Sequence, residues 1–126
     1  MPKPLRLAEQ YLIRAEAYCR KGAYSNANAD LAALSKSRGA SSAAVNVDNW
    51  LDRISEERVK ELYMEGFRLH DLKRWNRGFE RTPQLHTQSE GSSLKKNAGD
   101  PLFVWPIPKN EIEAPGAEIL PNESNR

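Results

Sequence analysis

The segment ISEERVKELYMEGFRLHDLKRW, residues 54–75, combines helical periodicity with a high density of charge, which limits where it can lie in a fold. At about 100° per residue, Ile54 and Leu72 share one apolar arc. Arg58 and Glu65 project from the middle of that arc, about 40° and 20° from Ile54. A solvated surface face explains the other charges of the segment but explains these two poorly. Charges on an apolar face survive burial only when they are paired, so the pattern predicts a structural ion-pair network.

Four charges of this segment are spaced at intervals of three and four residues: Arg58, Glu61, Glu65 and Arg68. Their signs run plus, minus, minus, plus, so each end residue can pair with its inner neighbour at i, i+3 on a helix. We therefore predict a largely buried ladder of ion pairs whose role is structural.

The first 39 residues predict a helical hairpin. An apolar stripe runs along the first helix, Gly22 ends it, Ser25 caps the second helix, and Gly39 ends that one. The spacing resembles the later half of a tetratricopeptide unit, at Tyr18, Gly22, Tyr24, Ala27, Leu31 and Leu34. A single unit of this kind leaves its outer faces uncovered, so stacking neighbours are expected from elsewhere.

The rest of the chain predicts one long helix followed by irregular structure. Residues 49–78 form the helix, with Asn49 and Asp52 as a capping box and a bend at Gly66. Residues 79–101 form a polar loop, and residues 102–126 form an extended tail, because its prolines interrupt any helix. We expect a mainly α fold, and 126 residues suit a single region of this kind.

Composition excludes several classes of protein. The net charge is +2, from 19 basic and 17 acidic residues that are interspersed, so no basic stripe favours nucleic acid. No apolar run approaches the roughly 20 residues of a membrane-spanning helix. The N-terminus, MPKPLRLAEQ, has no signal-peptide pattern. Cys19 is the single cysteine, which excludes an internal disulfide, and it is expected to be a small buried hydrophobe.

Catalytic and metal sites are not indicated. Glu61, Glu65 and Asp71 could supply a carboxylate pair for glycoside hydrolysis, but neighbouring turns already hold arginine partners for them. His70 and His86 have no second histidine at ligand spacing, so we predict no zinc site. No phosphate-binding loop or nucleophile motif is present. The sequence therefore predicts a protein that is not an enzyme and uses no cofactor or metal.

Three blocks carry a family resemblance: RLAEQYLIRAEAY, EERVKELYMEGFRLHDLKRW and FVWPIPKNEI. Together they resemble the C-terminal signature of the SusD/RagB family, the starch- and nutrient-binding outer-membrane lipoproteins of Bacteroidetes. The resemblance implies that the matching positions of the second block are a fold signature: Glu57, Arg58, Glu61, Leu62, Glu65, Gly66, Arg68, Asp71, Leu72, Arg74 and Trp75. It covers only the last part of a typical member, whose secretion signal and lipid-bearing cysteine are not found here, so we expect a C-terminal region.

The resemblance implies a non-enzymatic component of a SusC/SusD-type uptake system at the cell outer membrane. Its ligand would be an oligosaccharide or another nutrient, and its partner a TonB-dependent SusC-type transporter. As a C-terminal region the chain is also expected to self-associate. The alternative is a tetratricopeptide-like interaction module that binds a peptide or a partner protein.

Sugar binding uses aromatic rings beside polar side chains, and the available rings are Trp50, Trp75, Trp105, Tyr63 and Phe103. Trp75 and Trp105 belong to the signature and are expected to anchor the core. Trp50, at a helix start beside a polar loop, is the weak candidate for ligand contact.

Overall fold

A computed structural model describes residues 6–81 and 94–125 of the protein. The chain divides into two compact units, Met1–Phe67 and Arg68–Arg126. The described part is mainly helical, which confirms the predicted fold class. Most of the predicted polar loop, with His86, lies outside the described residues.

The first unit contains the predicted hairpin, α1 (Leu7–Arg20) and α2 (Tyr24–Ser37), followed by α3 (Trp50–Glu61). Helix α1 contacts both α2 and α3, so its apolar stripe forms the centre of the core. The buried apolar side chains of the three helices are Ala8, Leu12, Ala15, Cys19, Ala27, Leu31, Leu34 and Ile54. Burial raises the pKa of the Cys19 thiol, in keeping with its predicted role as a small hydrophobe.

The turn between α1 and α2 depends on Gly22, whose φ of +74° is in the left-handed region that favours glycine. The predicted cap of α2 is wrong. Helix α2 begins with Ala23 at its N-cap, and Ser25 lies inside the first turn, because the chain re-enters helical geometry directly after the glycine.

Polar contacts hold this unit together beside the apolar core. Arg14 donates two hydrogen bonds to the buried Asp30, at 2.8 and 2.6 Å, and so joins α1 to α2. The Asn28 side chain pairs with the backbone of Val45, donating to its carbonyl at 3.1 Å and accepting from its N–H at 2.8 Å. Val45 is buried, so this pair fixes the loop that follows α2.

The single long helix predicted over residues 49–78, with a bend at Gly66, is instead two helices, since α3 ends at Glu61 and α4 (Phe67–Arg74) begins after a non-helical stretch. Met64 and Gly66 there have φ values of 63° and 83°, which right-handed helical geometry does not allow. The capping prediction is half correct. Asn49 is the N-cap of α3, but its side chain accepts from the Asn46 N–H at 2.9 Å instead of capping the helix.

The second unit contains most of α4, then β1 (Phe79–Glu80) and β2 (Lys95–Lys96), which pair antiparallel. A 3-10 turn at Pro101–Phe103, the short helix α5 (Lys109–Ile112) and a 3-10 turn at Glu123–Asn125 follow. Leu72, Trp75 and Phe103 are buried. The Phe79 ring meets the Phe103 ring edge-on, with 6.2 Å between centroids, and so fastens β1 to this core.

The C-terminal segment is extended and irregular, as predicted, apart from the 3-10 turns and the single turn of α5. That single turn forms because Pro108 stands at its N-cap, before the first helical residue, where a missing N–H costs nothing. Asn125 fixes the segment by accepting from the Ile107 N–H at 3.1 Å and donating to the Ile107 carbonyl at 2.8 Å.

Candidate functional site

Glu61 of the predicted ladder is the centre of a charged cluster in the first unit. Arg38, just after α2, donates to its carboxylate from Nε at 3.0 Å and from Nη2 at 2.6 Å. Arg6, just before α1, donates to the same carboxylate at 3.2 Å and to the Glu61 backbone carbonyl at 2.6 Å. Arg6 also forms an ion pair with Glu65 at 3.0 Å. One carboxylate therefore joins the start of α1, the end of α2 and the end of α3.

The environment of Glu61 keeps it ionised. Its side chain is only 10% exposed. The hydrogen bond from Arg38 lowers the pKa of this carboxyl, and the charges of Arg38 and Arg6 lower it further, while burial acts in the opposite direction. A carboxylate held in this way is a poor proton donor at neutral pH, because a general acid needs a pKa near the working pH. Glu61 thus has the properties of a structural clamp.

Glu61 and Glu65 have arginine partners from outside the predicted ladder. Arg6 and Arg38 lie outside the signature helix and were not identified from its spacing. Arg58 is buried, and its guanidinium lies 5.9 Å from the centre of the Phe67 ring. Arg68 belongs to the second unit and is exposed, and partial desolvation lowers its pKa. The ion-pair ladder formed by all four residues, Arg58, Glu61, Glu65 and Arg68, therefore remains a prediction.

A depression of about 540 Å³ lies beside the clamp. Lys60 lines this depression and forms an ion pair with Glu57 at 2.8 Å. The guanidinium groups of Arg6 and Arg38 both form ion pairs with Glu61. Its lining consists of Arg6, Leu34, Ser35, Arg38, Ala40, Ser41, Glu57, Lys60 and Glu61. The charges of this surface are mutually satisfied, which is typical of a structural network.

An arginine guanidinium lies over the indole ring of two of the candidate tryptophans. Trp75 is 8% exposed, as predicted for a core anchor, and the Arg74 guanidinium lies 4.3 Å from its ring centre. Trp50, the weak ligand candidate, is half-buried, and Arg20 lies 5.4 Å from its ring centre. Trp50 stays a candidate by prediction alone.

Trp105 was predicted to anchor the core, and this is wrong: its side chain is 82% exposed. Alternation along a strand would direct Phe103 and Trp105 to the same side. Phe103 instead ends a 3-10 turn, so the alternation does not carry through, and Phe103 alone is buried. The backbone at Trp105 is nevertheless fixed, because the Asn122 side chain donates to its carbonyl at 2.8 Å.

Beside this segment the second unit has a cleft of about 180 Å³. Its apolar lining includes Leu72, Phe103 and Val104. The residues that line it are Leu72, Lys73, Asn76, Arg77, Gly99, Asp100, Pro101, Phe103, Val104 and Glu123. Two side chains are cationic and two are acidic, so the lining as a whole is neutral at pH 7.

Within residues 6–81 and 94–125, no three histidine, cysteine or acidic side chains are grouped so that they could hold a metal ion. In the same described part of the chain, no helix combines the length and apolar character needed to cross a bilayer.

The sequence model of the SusD family matches residues 3–117 of this chain. Comparison with curated proteins and with solved structures gives no match. The family match includes all three sequence blocks and extends over both units of the structure. The chain therefore belongs to the SusD family.

Proposed function

We propose that this protein captures glycans as the binding component of a SusC/SusD-type uptake system. The observation that carries the proposal is the SusD family match over residues 3–117. Members of the family are nutrient-binding components of such systems and are generally not catalytic. The protein would act as a surface-exposed lipoprotein of the cell outer membrane and deliver oligosaccharides to a TonB-dependent SusC-type transporter.

The use of the signature charges supports a binding role over a catalytic one. Glu61 and Glu65, the carboxylates closest to a hydrolase pair in the sequence, both have arginine partners. Their role in the first unit is to hold helices together, which leaves ligand recognition to other surfaces. Aromatic and polar side chains at the surface are the groups that a hydroxyl-rich ligand uses.

Co-purification from the bacterium that encodes the protein tests the proposal. The reading frame that contains this chain would carry an affinity tag at its natural locus, and outer membranes would be solubilised in mild detergent. We expect the tagged protein in the outer-membrane fraction, with a TonB-dependent SusC-type transporter in near-equal amount. An unrelated tagged outer-membrane lipoprotein is the control. Absence from that fraction, or recovery without such a transporter, would contradict the proposal.

A second candidate is the tetratricopeptide-like interaction module, which the outer face of α1 favours. Leu7 and Ile13 are 74% and 47% exposed, and they border a shallow groove of about 430 Å³ with Tyr11 and Arg14. Uncovered apolar side chains on such a hairpin could receive a partner peptide. A Leu7→Glu variant separates the two candidates, because it would abolish peptide binding at this face and leave glycan uptake unchanged.

A further inference from the structure

The stretch between α3 and α4 is not helical, although much of its sequence favours a helix. Leu62, Met64 and Glu65 are good helix formers, and the apolar periodicity of the signature continues through them. Met64 nevertheless has a φ of 63°, in the left-handed region that is unfavourable for a residue with a Cβ. Gly66, with a φ of 83°, permits the break but does not explain the geometry of Met64. A contact from elsewhere in the fold is needed to impose that geometry.

The backbone hydrogen bonds show where the helix is interrupted. The Leu62 N–H still bonds the Arg58 carbonyl at 2.9 Å, with the spacing of an α-helix. In a continuous helix the Glu65 N–H would bond the Glu61 carbonyl, four residues earlier. It bonds the Leu62 carbonyl instead, at 3.2 Å. The Glu61 carbonyl can therefore accept from a donor outside the helix.

That donor is Arg6, 55 residues away in the chain. Its Nη2 donates to the Glu61 carbonyl at 2.6 Å, and the same nitrogen forms an ion pair with the Glu65 carboxylate at 3.0 Å. Its Nη1 donates to the Glu61 carboxylate at 3.2 Å. One guanidinium thus occupies the acceptor that a continuous helix needs and holds the side chain of the residue that would donate to it.

The guanidinium extends from a fixed part of the backbone. Arg6 is the N-cap residue of α1, and its carbonyl accepts from the N–H groups of Glu9 and Gln10 at 3.1 and 3.3 Å. Helix α1 is itself packed against α2 and α3. The Arg6 side chain is 26% exposed, and its partial shielding from water strengthens the ionic contacts. The contacts of Arg6 can therefore hold the stretch in an unfavourable geometry.

We propose that Arg6 is a latch that keeps α3 and α4 separate at residues 62–66, and that the two helices join into one when the latch is released. Joining returns Met64 to right-handed geometry and gives the Glu61 carbonyl its helical donor. It also supplies acceptors to the N–H groups in the first turn of α4, which have no helical partner in the broken form. The break lies at the end of the first unit, so the latch determines whether a non-helical stretch or a helix connects the two units. The inference concerns the fold and does not depend on the proposed function.

Nuclear magnetic resonance of the full chain, labelled with 13C and 15N, tests the latch. The Cα and Cβ chemical shifts report backbone geometry residue by residue, so the wild type should show left-handed values at Met64. Arg6→Met removes all three contacts and keeps a long side chain. It should move residues 62–66 to right-handed helical values and slow amide hydrogen exchange at Arg68 and Leu69 by about tenfold or more.

Two further variants complete the test. Arg53→Met is the matched control, because Arg53 is an arginine of α3 that pairs with Glu56 at the surface, and it should leave the shifts of residues 62–66 unchanged. Glu65→Gln removes one contact of Arg6 and keeps the others, and the Glu65 side chain is 36% exposed, so this variant should fold. Its Met64 shifts should move in the same direction as in Arg6→Met, by a smaller amount.

The amide signals of the buried Leu12 and Leu31 show whether the hairpin of each variant is folded. Left-handed values at Met64 in a folded Arg6→Met protein would overturn the latch, because the local sequence would then set the break. Random-coil values there would also overturn it, because no continuous helix would form. If Arg6→Met does not fold, unchanged Met64 shifts in Glu65→Gln would overturn the proposal. An equal change in the Arg53→Met control would do so as well.

Discussion

Arg38 and Glu61, 23 residues apart in the chain, form a two-point ion pair with Nη2–Oε1 and Nε–Oε2 distances of 2.6 and 3.0 Å. The pair joins the C-terminal end of α2 to the C-terminal end of α3. Arg38 also follows the last residue of α2, where a cation interacts favourably with the helix dipole. A carboxylate of the SusD signature thus stabilises helix packing in the first unit.

Glu61→Gln should destabilise the protein substantially. The uncharged glutamine amide cannot accept hydrogen bonds from Arg38 and Arg6 as the carboxylate does. The two guanidinium groups are therefore left with a weaker partner. We expect a loss of about 2–3 kcal/mol in the free energy of unfolding. Urea denaturation followed by circular dichroism measures it. Glu56→Gln is the matched control on the same helix, because Glu56 is half exposed and pairs with Arg53. Its loss should stay below about 0.5 kcal/mol, and equal losses in both variants would contradict the clamp.

The stabilisation by Glu61 should depend on pH. Its pKa is lower in the folded protein than the ordinary value of about 4.3, chiefly because of the hydrogen bond from Arg38. A carboxyl group whose pKa is lower in the folded state contributes its full stabilisation at pH values above its pKa in the unfolded state. This contribution is lost as pH falls through the pKa of the folded state. The stability difference between wild type and Glu61→Gln should therefore be constant above about pH 5 and shrink below about pH 4. Urea midpoints at several pH values test this, and a difference that does not change with pH would contradict it.

Gly78→Ala should disrupt the second unit. A Cβ at this position would collide with the Lys96 carbonyl oxygen and crowd the backbone of residues 97 and 98, none of which can move as a flexible side chain could. Overpacking of this kind costs about 1–3 kcal/mol. Thermal unfolding of the variant measures the cost.

Glu80→Ala is the control, because it removes only an exposed ion pair with Lys95 in the same pair of strands. It should change the free energy of unfolding by less than about 0.5 kcal/mol. A Gly78→Ala protein as stable as wild type would show that β1 and β2 do not approach as closely as described.

The purified chain should self-associate. Leu7, Met64, Trp105 and Leu120 are each more than 70% exposed, and large apolar side chains that water contacts favour association. Sedimentation velocity over a wide concentration range should show a sedimentation coefficient that rises with concentration. A monomer at all concentrations would contradict the prediction.

The hairpin could be predicted from the sequence because its signals are local. The apolar spacing of α1 and α2 and the glycine between them each depend on residues a few positions apart. Arg6 and Glu61 are 55 residues apart, and no periodicity relates them, so the sequence showed that Glu61 needs a cation but not which one. The signature therefore predicted a structural role for the charge, but it did not indicate that Arg6 and Arg38 bind Glu61.

The long helix and Trp105 show where local patterns fail. The apolar periodicity continues through residues 62–66, but Gly66 and Met64 adopt left-handed geometry and end α3, so periodicity alone could not locate the break. Trp105 follows Phe103 at the spacing of two residues on one side of a strand. Because Phe103 ends the 3-10 turn at Pro101–Phe103, the strand pattern does not apply, and Phe103 is buried whereas Trp105 is exposed.

Oligosaccharide uptake tests the central claim most directly. The reading frame that contains this chain would be deleted in frame, and uptake of fluorescently labelled neutral oligosaccharides would be measured in the deletion strain, the parent strain and a complemented strain. We predict that the deletion strain loses uptake of at least one oligosaccharide and that complementation restores it. Unchanged uptake of every oligosaccharide in the deletion strain would contradict the claim that this SusD family protein captures glycans.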